Sequence, residues 1–226
     1  MLFFNPGAIS PTVNGTCMFA VGEMELFMIK TNTVSLTRKL TLIAVLSAIS
    51  SILMFFSFSV PFMPSFIKVD FSELPALLAS FAYGPLSGVC VCLIKNLINA
   101  PTTTTAYVGE FANFLLGAAF VFPAGLIYLK NKTRKGALLG ALMGALFMAL
   151  ISVPLNYFVT YPIYQNFMPI ETIIGMYQAI FGGVNGLLEC LIIFNAPFTF
   201  LKGIVVALLT FLVYKPLSPL LKGRKK

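Results

Sequence analysis

Residues 191–214, LIIFNAPFTFLKGIVVALLTFLVY, form an apolar run long enough to cross a bilayer, which takes about 20 residues. One cation, Lys202, interrupts it. A lysine inside a span costs about 2.5–3.5 kcal/mol on insertion scales, so such a residue is a candidate site by default. Pro197 suits the first turn of a helix and disfavours its interior, so the span is expected to start near Ala196 and end before Pro216. Lys202 then falls in the second turn, near the positive end of the helix dipole, where a cation is disfavoured. Thr199 stands at i, i+3 from Lys202 and shares its face, with Asn195 just before the helix. Two readings of Lys202 stay open: a side chain snorkelling to the nearby membrane surface, or a member of a buried site. An aliphatic residue would avoid both costs, which favours the site.

The rest of the chain is built in the same way. It is 58% hydrophobic and 10% charged, with mean hydropathy +0.94, against roughly 25% charged residues in a soluble domain. That composition is expected for an all-α polytopic membrane protein, and 226 residues hold about six spans with short connections in one domain. The net charge of +8 sits in short clusters: Arg38 and Lys39; Lys130, Lys132, Arg134 and Lys135; Lys222, Arg224, Lys225 and Lys226. Clusters beside spans read as cytoplasmic anchors, whereas a nucleic-acid surface would spread its charge over a soluble face. With the amino terminus inside, six spans place all three clusters in the cytoplasm. The four cysteines show no disulfide framework; Cys90 and Cys92 point to different helix faces. The chain has no histidine, which removes His-based acid–base chemistry and most zinc, haem and copper sites.

In chain order, residues 1–37 carry scattered Pro, Gly and Asn and make a poor signal peptide, since no basic region precedes an apolar run. A loosely ordered segment is expected there, with Met24 and Met28 as alternative starts. Residues 38–226 are the expected membrane domain. Its first span, about 40–60, carries Ala44 and Ala48 four apart with Ser47 and Ser51 alongside, a small-residue face that permits close helix approach. That face suits a partner helix or the chain's own bundle equally. An outer loop with Lys68, Asp70 and Glu73 follows. Short spans at about 74–83 and 86–98 are separated by Gly84-Pro85, and Lys95, Asn96 and Asn99 close the second. The fourth span, about 109–128, opens with Glu110 and Asn113 on one face. Glu110 suits a helix N-terminus, but the buried amide of Asn113 needs a ligand or an interhelical partner. The fifth, about 137–158, is rich in Gly and Ala, and Asn156 near its far end sits among Tyr157, Tyr161 and Tyr164. Tyrosines at that depth usually form an interfacial belt, while asparagine among aromatics also suits a planar polar ring. Residues 169–194 read as a moderately apolar helix broken at GGVNG.

No P-loop, H-E-x-x-H, nucleophile elbow or paired-carboxylate motif is present, so no enzyme activity is expected. What remains is a polar pocket near the outer surface, lined by Glu110, Asn113, Asn156, Thr199 and Lys202 in an aromatic-rich setting of 23 Phe and 8 Tyr. Counting Glu110 against Lys202, that pocket is near neutral and suits an uncharged, planar, hydrogen-bonding molecule.

The order DFSELPALLASFAYGPLSGV, LIKNLIN, GEFANFLLGAAFVFPAGLIY, PLNYF and PFTFLKG resembles the riboflavin-binding S components of energy-coupling-factor (ECF) transporters, from about Leu40 to the carboxyl end. The resemblance implies six helices, riboflavin capture on the outer side, and no cofactor of the chain's own. It also implies partners: a transmembrane coupling subunit and two cytoplasmic ATPases, which alone bind ATP. In that family an A-x-x-x-A motif on the first helix meets the coupling subunit, and Ala44 and Ala48 match it. Asn156 in LNYF and Lys202 in the KG motif match the family's binding residues, while Thr199 stands where asparagine is usual. Threonine replaces only part of an amide's paired donor and acceptor. A flavin ring offers two carbonyls and an N–H on one edge, which lysine and asparagine can meet while Phe or Tyr cover its faces. For the ribityl hydroxyls, Asp70, Ser72 and residues 102–105 are candidates. Fold does not fix the ligand, so another vitamin or precursor stays open, as does a membrane protein without a transport role.

Overall fold

The described residues form a largely helical membrane bundle. The computed structural model describes residues 36–59, 68–103, 107–166, 169–184 and 186–222, with side chains as far as residue 213. The expectations for residues 1–35 and for Thr104 and Thr105 lie outside the described residues. Helix α1 is Leu36–Phe55. A two-stranded antiparallel ribbon follows, β1 (Phe58–Ser59) with β2 (Lys68–Val69), in which Phe58 faces Val69. Helices α2 (Glu73–Tyr83) and α3 (Pro85–Asn99) come next. They are about 16 and 22 Å long at 1.5 Å per residue, each short of the 30 Å hydrocarbon core. Gly84, at φ 98°, joins them in a conformation that L side chains rarely adopt, and Pro85 occupies the first turn of α3. Helix α4 is Val108–Lys130 and α5 is Arg134–Leu155, capped by Thr133 Oγ1, which accepts from the Gly136 N–H at 3.0 Å. Three short helices, α6 (Tyr161–Tyr164), α7 (Ile170–Gln178) and α8 (Leu187–Cys190), precede the last, α9 (Ala196–Lys222).

Among the described residues, four stretches are long and apolar enough to cross a membrane: Leu36–Phe55, Val108–Lys130, Arg134–Tyr164 and Leu187–Val213. The last two run through π-helical turns at Asn156–Thr160 and Leu191–Asn195. Each is followed two residues later by a proline, Pro162 after the first and Pro197 after the second. A proline leaves an i−4 carbonyl without its donor, and the ladder relaxes locally to wider turns. The expected start of the last span at Ala196 is thereby corrected to Leu187. Proline is accommodated inside the span rather than at its first turn. Lys202 accordingly stands in mid-span, and the dipole penalty expected of a second-turn cation does not apply.

Glycine sets the closest packing. A Cβ at Gly140 would sit 2.6 Å from the Ala124 carbonyl oxygen, and one at Gly144 would strike that of Phe120, so α5 lies against the backbone of α4. Ser80 Oγ donates to the Val121 carbonyl at 2.7 Å and ties α2 to α4. On α1 the small residues divide. Ser47 and Ser51 are buried and donate to carbonyls of their own helix, whereas Ala44 and Ala48 are exposed amid exposed Val45, Ile49 and Ile52.

Candidate functional site

The ends of α1, α3 and α5 meet the starts of α2 and α4 at one end of the bundle, and a cavity of about 520 Å³ opens there. It is lined by all six of Asp70, Glu110, Asn113, Asn156, Thr199 and Lys202. The two π-helical turns carry two of its amides: Asn156 begins the first and Asn195 ends the second, and both face the cavity. Asn156, Thr160, Asn195 and Thr199 are each less than a tenth exposed, and Thr160 Oγ1 has no hydrogen-bond partner. Phe198, Tyr161 and Tyr164 add aromatic surface. Asn195 supplies an amide one turn before Thr199, on the same face.

Lys202, whose charge the sequence reading counted against Glu110, makes its contacts elsewhere. Lys202 Nζ lies 3.3 Å from Asp70 Oδ2, 3.2 Å from Glu73 Oε2 and 3.3 Å from Glu73 Oε1. Its partners are therefore Asp70 and Glu73. Glu110, in the first turn of α4, accepts from Thr103 Oγ1 at 2.7 Å. A buried ammonium is tolerated when carboxylates compensate it, and here two of them hold Lys202 in place. Snorkelling is excluded by the same contacts.

Sequence reasoning passed over Lys95, which it took only as the close of a short span. Lys95 is fully buried, and its Nζ donates to Glu73 Oε1 at 3.1 Å, to Ser72 Oγ, and to Asn113 Oδ1 at 3.5 Å. Asn113 thus has both an interhelical partner and a place in the cavity wall. Ser72 donates its N–H to Asp70 Oδ1 at 2.9 Å and its hydroxyl to the same oxygen, while its carbonyl accepts from Ser50 Oγ of α1. Ser72 is therefore a support for Asp70 and not a cavity-lining hydroxyl. Burial alone would push the Asp70 carboxyl up, but the ammonium groups of Lys202 and Lys95 and the bonds from Ser72 outweigh it, holding the carboxyl well below the usual carboxylate range. The rule that marks an in-span lysine as a site applied to Lys95 as well as to Lys202.

Tyr161 departs from the belt reading. It is 2% exposed, and its hydroxyl shares a 2.8 Å hydrogen bond with that of Tyr177 on α7; Tyr157 faces outward. Tyr161, Ile173, Tyr177, Val184, Cys190 and Leu191 make a buried cluster beside the cavity.

Residues 38–214 match the family model described as ECF transporter, substrate-specific component. The chain is 36% identical over 185 residues to the riboflavin transporter RibU of Staphylococcus aureus (strain TCH60), covering 82% of this chain and 93% of that one. It is 30% identical over 193 residues to the riboflavin transporter FmnP of Bacillus subtilis (strain 168), covering 83% and 96%. A solved S component of a bacterial ECF transporter superposes with a TM-score of 0.65 at 34% identity, covering 83% of this chain and 99% of that one. This chain, a multi-pass membrane bundle with a polar cavity at the end of its helices, belongs to the family of substrate-specific components of ECF transporters.

Proposed function

We propose that this chain captures riboflavin from the outer side of the cell membrane and passes it inward as the binding subunit of an ECF transporter. The observation that carries the reading is the cavity's two-sided chemistry. One wall presents a lysine, two π-turn amides and two threonine hydroxyls, while Phe198, Tyr161 and Tyr164 add flat apolar surface. An isoalloxazine ring has the matching shape, a flat apolar body with carbonyls and an N–H along one edge. A volume of about 520 Å³ lies within the roughly 300–1,000 Å³ of small-molecule sites. Thr102 and Asp70 at the rim suit the ribityl hydroxyls. Relatives that this chain matches over most of its length carry the name riboflavin transporter.

Sidedness supports outer capture. The cavity sits at the end where α1 and α5 finish, and the Arg38–Lys39 and 130–135 clusters lie where α1 begins and where α4 meets α5. Positive clusters mark the cytoplasmic side, so both termini are cytoplasmic and the cavity faces out. The partners in this reading are a transmembrane coupling subunit and two ATPases; those ATPases alone bind ATP, and the chain needs no cofactor of its own. The exposed Ala44–Ala48 face is the coupling subunit's landing surface, where small side chains allow backbones to approach.

The test is absorbance of the detergent-purified protein at flavin wavelengths, with quenching of added riboflavin fluorescence as the second arm. Colourless protein that also leaves the fluorescence unchanged would overturn riboflavin and return the cavity to another vitamin.

A further inference from the structure

The charged groups at the cavity wall form a closed ring. Lys95 Nζ donates to Glu73 Oε1 at 3.1 Å; Lys202 Nζ bridges Glu73 and Asp70 Oδ2 at 3.2 and 3.3 Å. Asp70 Oδ1 accepts from Ser72 Oγ, which accepts from Lys95. The ring contains two lysines and two acids and is neutral. Asp70, Glu73 and Lys202 line the cavity, whereas Lys95 is fully buried behind its wall. The three donors of the Lys95 ammonium go to Ser72, Glu73 and Asn113, which come from the turn before α2, from α2 and from α4.

We infer that Lys95 is a positioning residue for the substrate site: it never touches the ligand, but it balances the second carboxylate so that Lys202 faces the cavity as a fixed, fully charged donor. Among the described residues, the other titratable or charged groups near this ring are Cys92, one turn earlier on α3, and Lys68, Glu110, Tyr161 and Tyr164, which line the same cavity. Without Lys95 two carboxylates share one ammonium, leaving an uncompensated buried charge. Like-charged carboxylates at one site favour uptake of a proton by one of them. At low pH the ring is neutral again; as pH rises that proton leaves, and Lys202, already bonded to both carboxylates, must balance them alone and gives up its donor to the ligand edge. In the native ring each carboxylate has an ammonium beside it.

This inference rests on the riboflavin reading for its affinity arm only. Purified native protein, Lys95→Met and Lys95→Met with Glu73→Gln are titrated with riboflavin and melted in detergent from pH 5 to pH 8. The expected native profiles are flat. In Lys95→Met the affinity falls with rising pH, by up to about tenfold per unit for one linked proton, and the melting temperature falls in parallel. The paired variant, neutral again, recovers the flat profile. Native protein that binds no riboflavin sinks the functional reading, and the melting curves alone then test the ring. A Lys95→Met variant whose affinity and melting are unchanged, or lowered equally at every pH, overturns the inference. Failure of the charge-neutral pair to accumulate overturns it as well.

Discussion

Lys202 Nζ on α9 lies 3.2 Å from Glu73 Oε2 on α2, a residue 129 positions earlier in the chain. The contact joins the last membrane helix to the second and fixes which face of α9 looks into the cavity. It also explains how a lysine persists in mid-span. Desolvation of the ammonium is offset by Glu73 and by Asp70 at 3.3 Å, so its position is set by partners and not by the membrane surface. A neutral site with a fixed donor suits an uncharged polar ring better than an anion, which would need cations left unpaired.

Topology gives the first expectation. A cysteine introduced as Lys132→Cys, between α4 and α5, should resist a membrane-impermeant thiol reagent in intact cells and react after permeabilisation. Efficient labelling of intact cells, measured against the parent protein, would reverse the sidedness drawn from the basic clusters.

Ala44→Leu with Ala48→Leu should leave riboflavin affinity within about twofold while abolishing uptake, since both residues face outward and distant sites act independently. Bulky side chains there block the close approach of a partner helix. Loss of binding in the purified double variant would place that face inside the subunit's own folding.

Asp70 supplies an acid-side expectation. Its carboxyl is held well below the usual range, since the ammonium groups and the Ser72 bonds overcome the effect of burial. A folded value below the unfolded one, about 3.9, contributes stability that is fully present above that pH and lost as pH falls toward the folded value. The melting temperature should therefore be insensitive to Asp70's ionisation between pH 5 and 8 and drop as pH falls below about 4. Asp70→Asn should melt lower at pH 7 and show a shallower acid drop. Parallel acid limbs in the two proteins would remove Asp70 from the linkage.

The helices were legible because apolar length and Gly84-Pro85 are local signals. Lys202, Asn156 and Asn113 were legible as site candidates because polar groups in apolar helices stand out against their neighbours. What the sequence hid was pairing. Periodicity tells which residues share a face of one helix, but not that α9 faces α2, so Glu110 stood in for Asp70 and Glu73. The π-helical turns were hidden for a different reason: a proline is compatible with a helix start or with a widened turn, and only the surrounding packing decides. Asn195 consequently looked like a residue before the helix, although it lies in the cavity wall.

The sharpest expectation joins Lys202 to Asn156. If both grip the polar edge of one flavin, removing either leaves ligand groups buried and unpaired, at about 1–3 kcal/mol each. Affinity should then fall roughly 5- to 150-fold in Lys202→Met and in Asn156→Leu. The double variant should lose less than the sum, because the ring has already lost its fixed orientation. Stability separates the two. Deleting an in-span cation would by itself ease insertion, but Lys202 is paired, and breaking a buried pair costs up to about 3–5 kcal/mol. Lys202→Met should therefore melt well below the native protein, with Glu73→Gln added in the same chain restoring most of the loss. Asn156→Leu, whose side chain forms no part of the ion-pair ring, should melt within a few degrees of native. Flavin fluorescence titration of the two single variants and the double variant, beside their melting curves, checks both halves. Unchanged affinity in Lys202→Met, with its melting temperature lowered, would make Lys202 a purely structural clamp between α2 and α9 and move the ligand's polar edge to Asn156, Asn195 and Thr199.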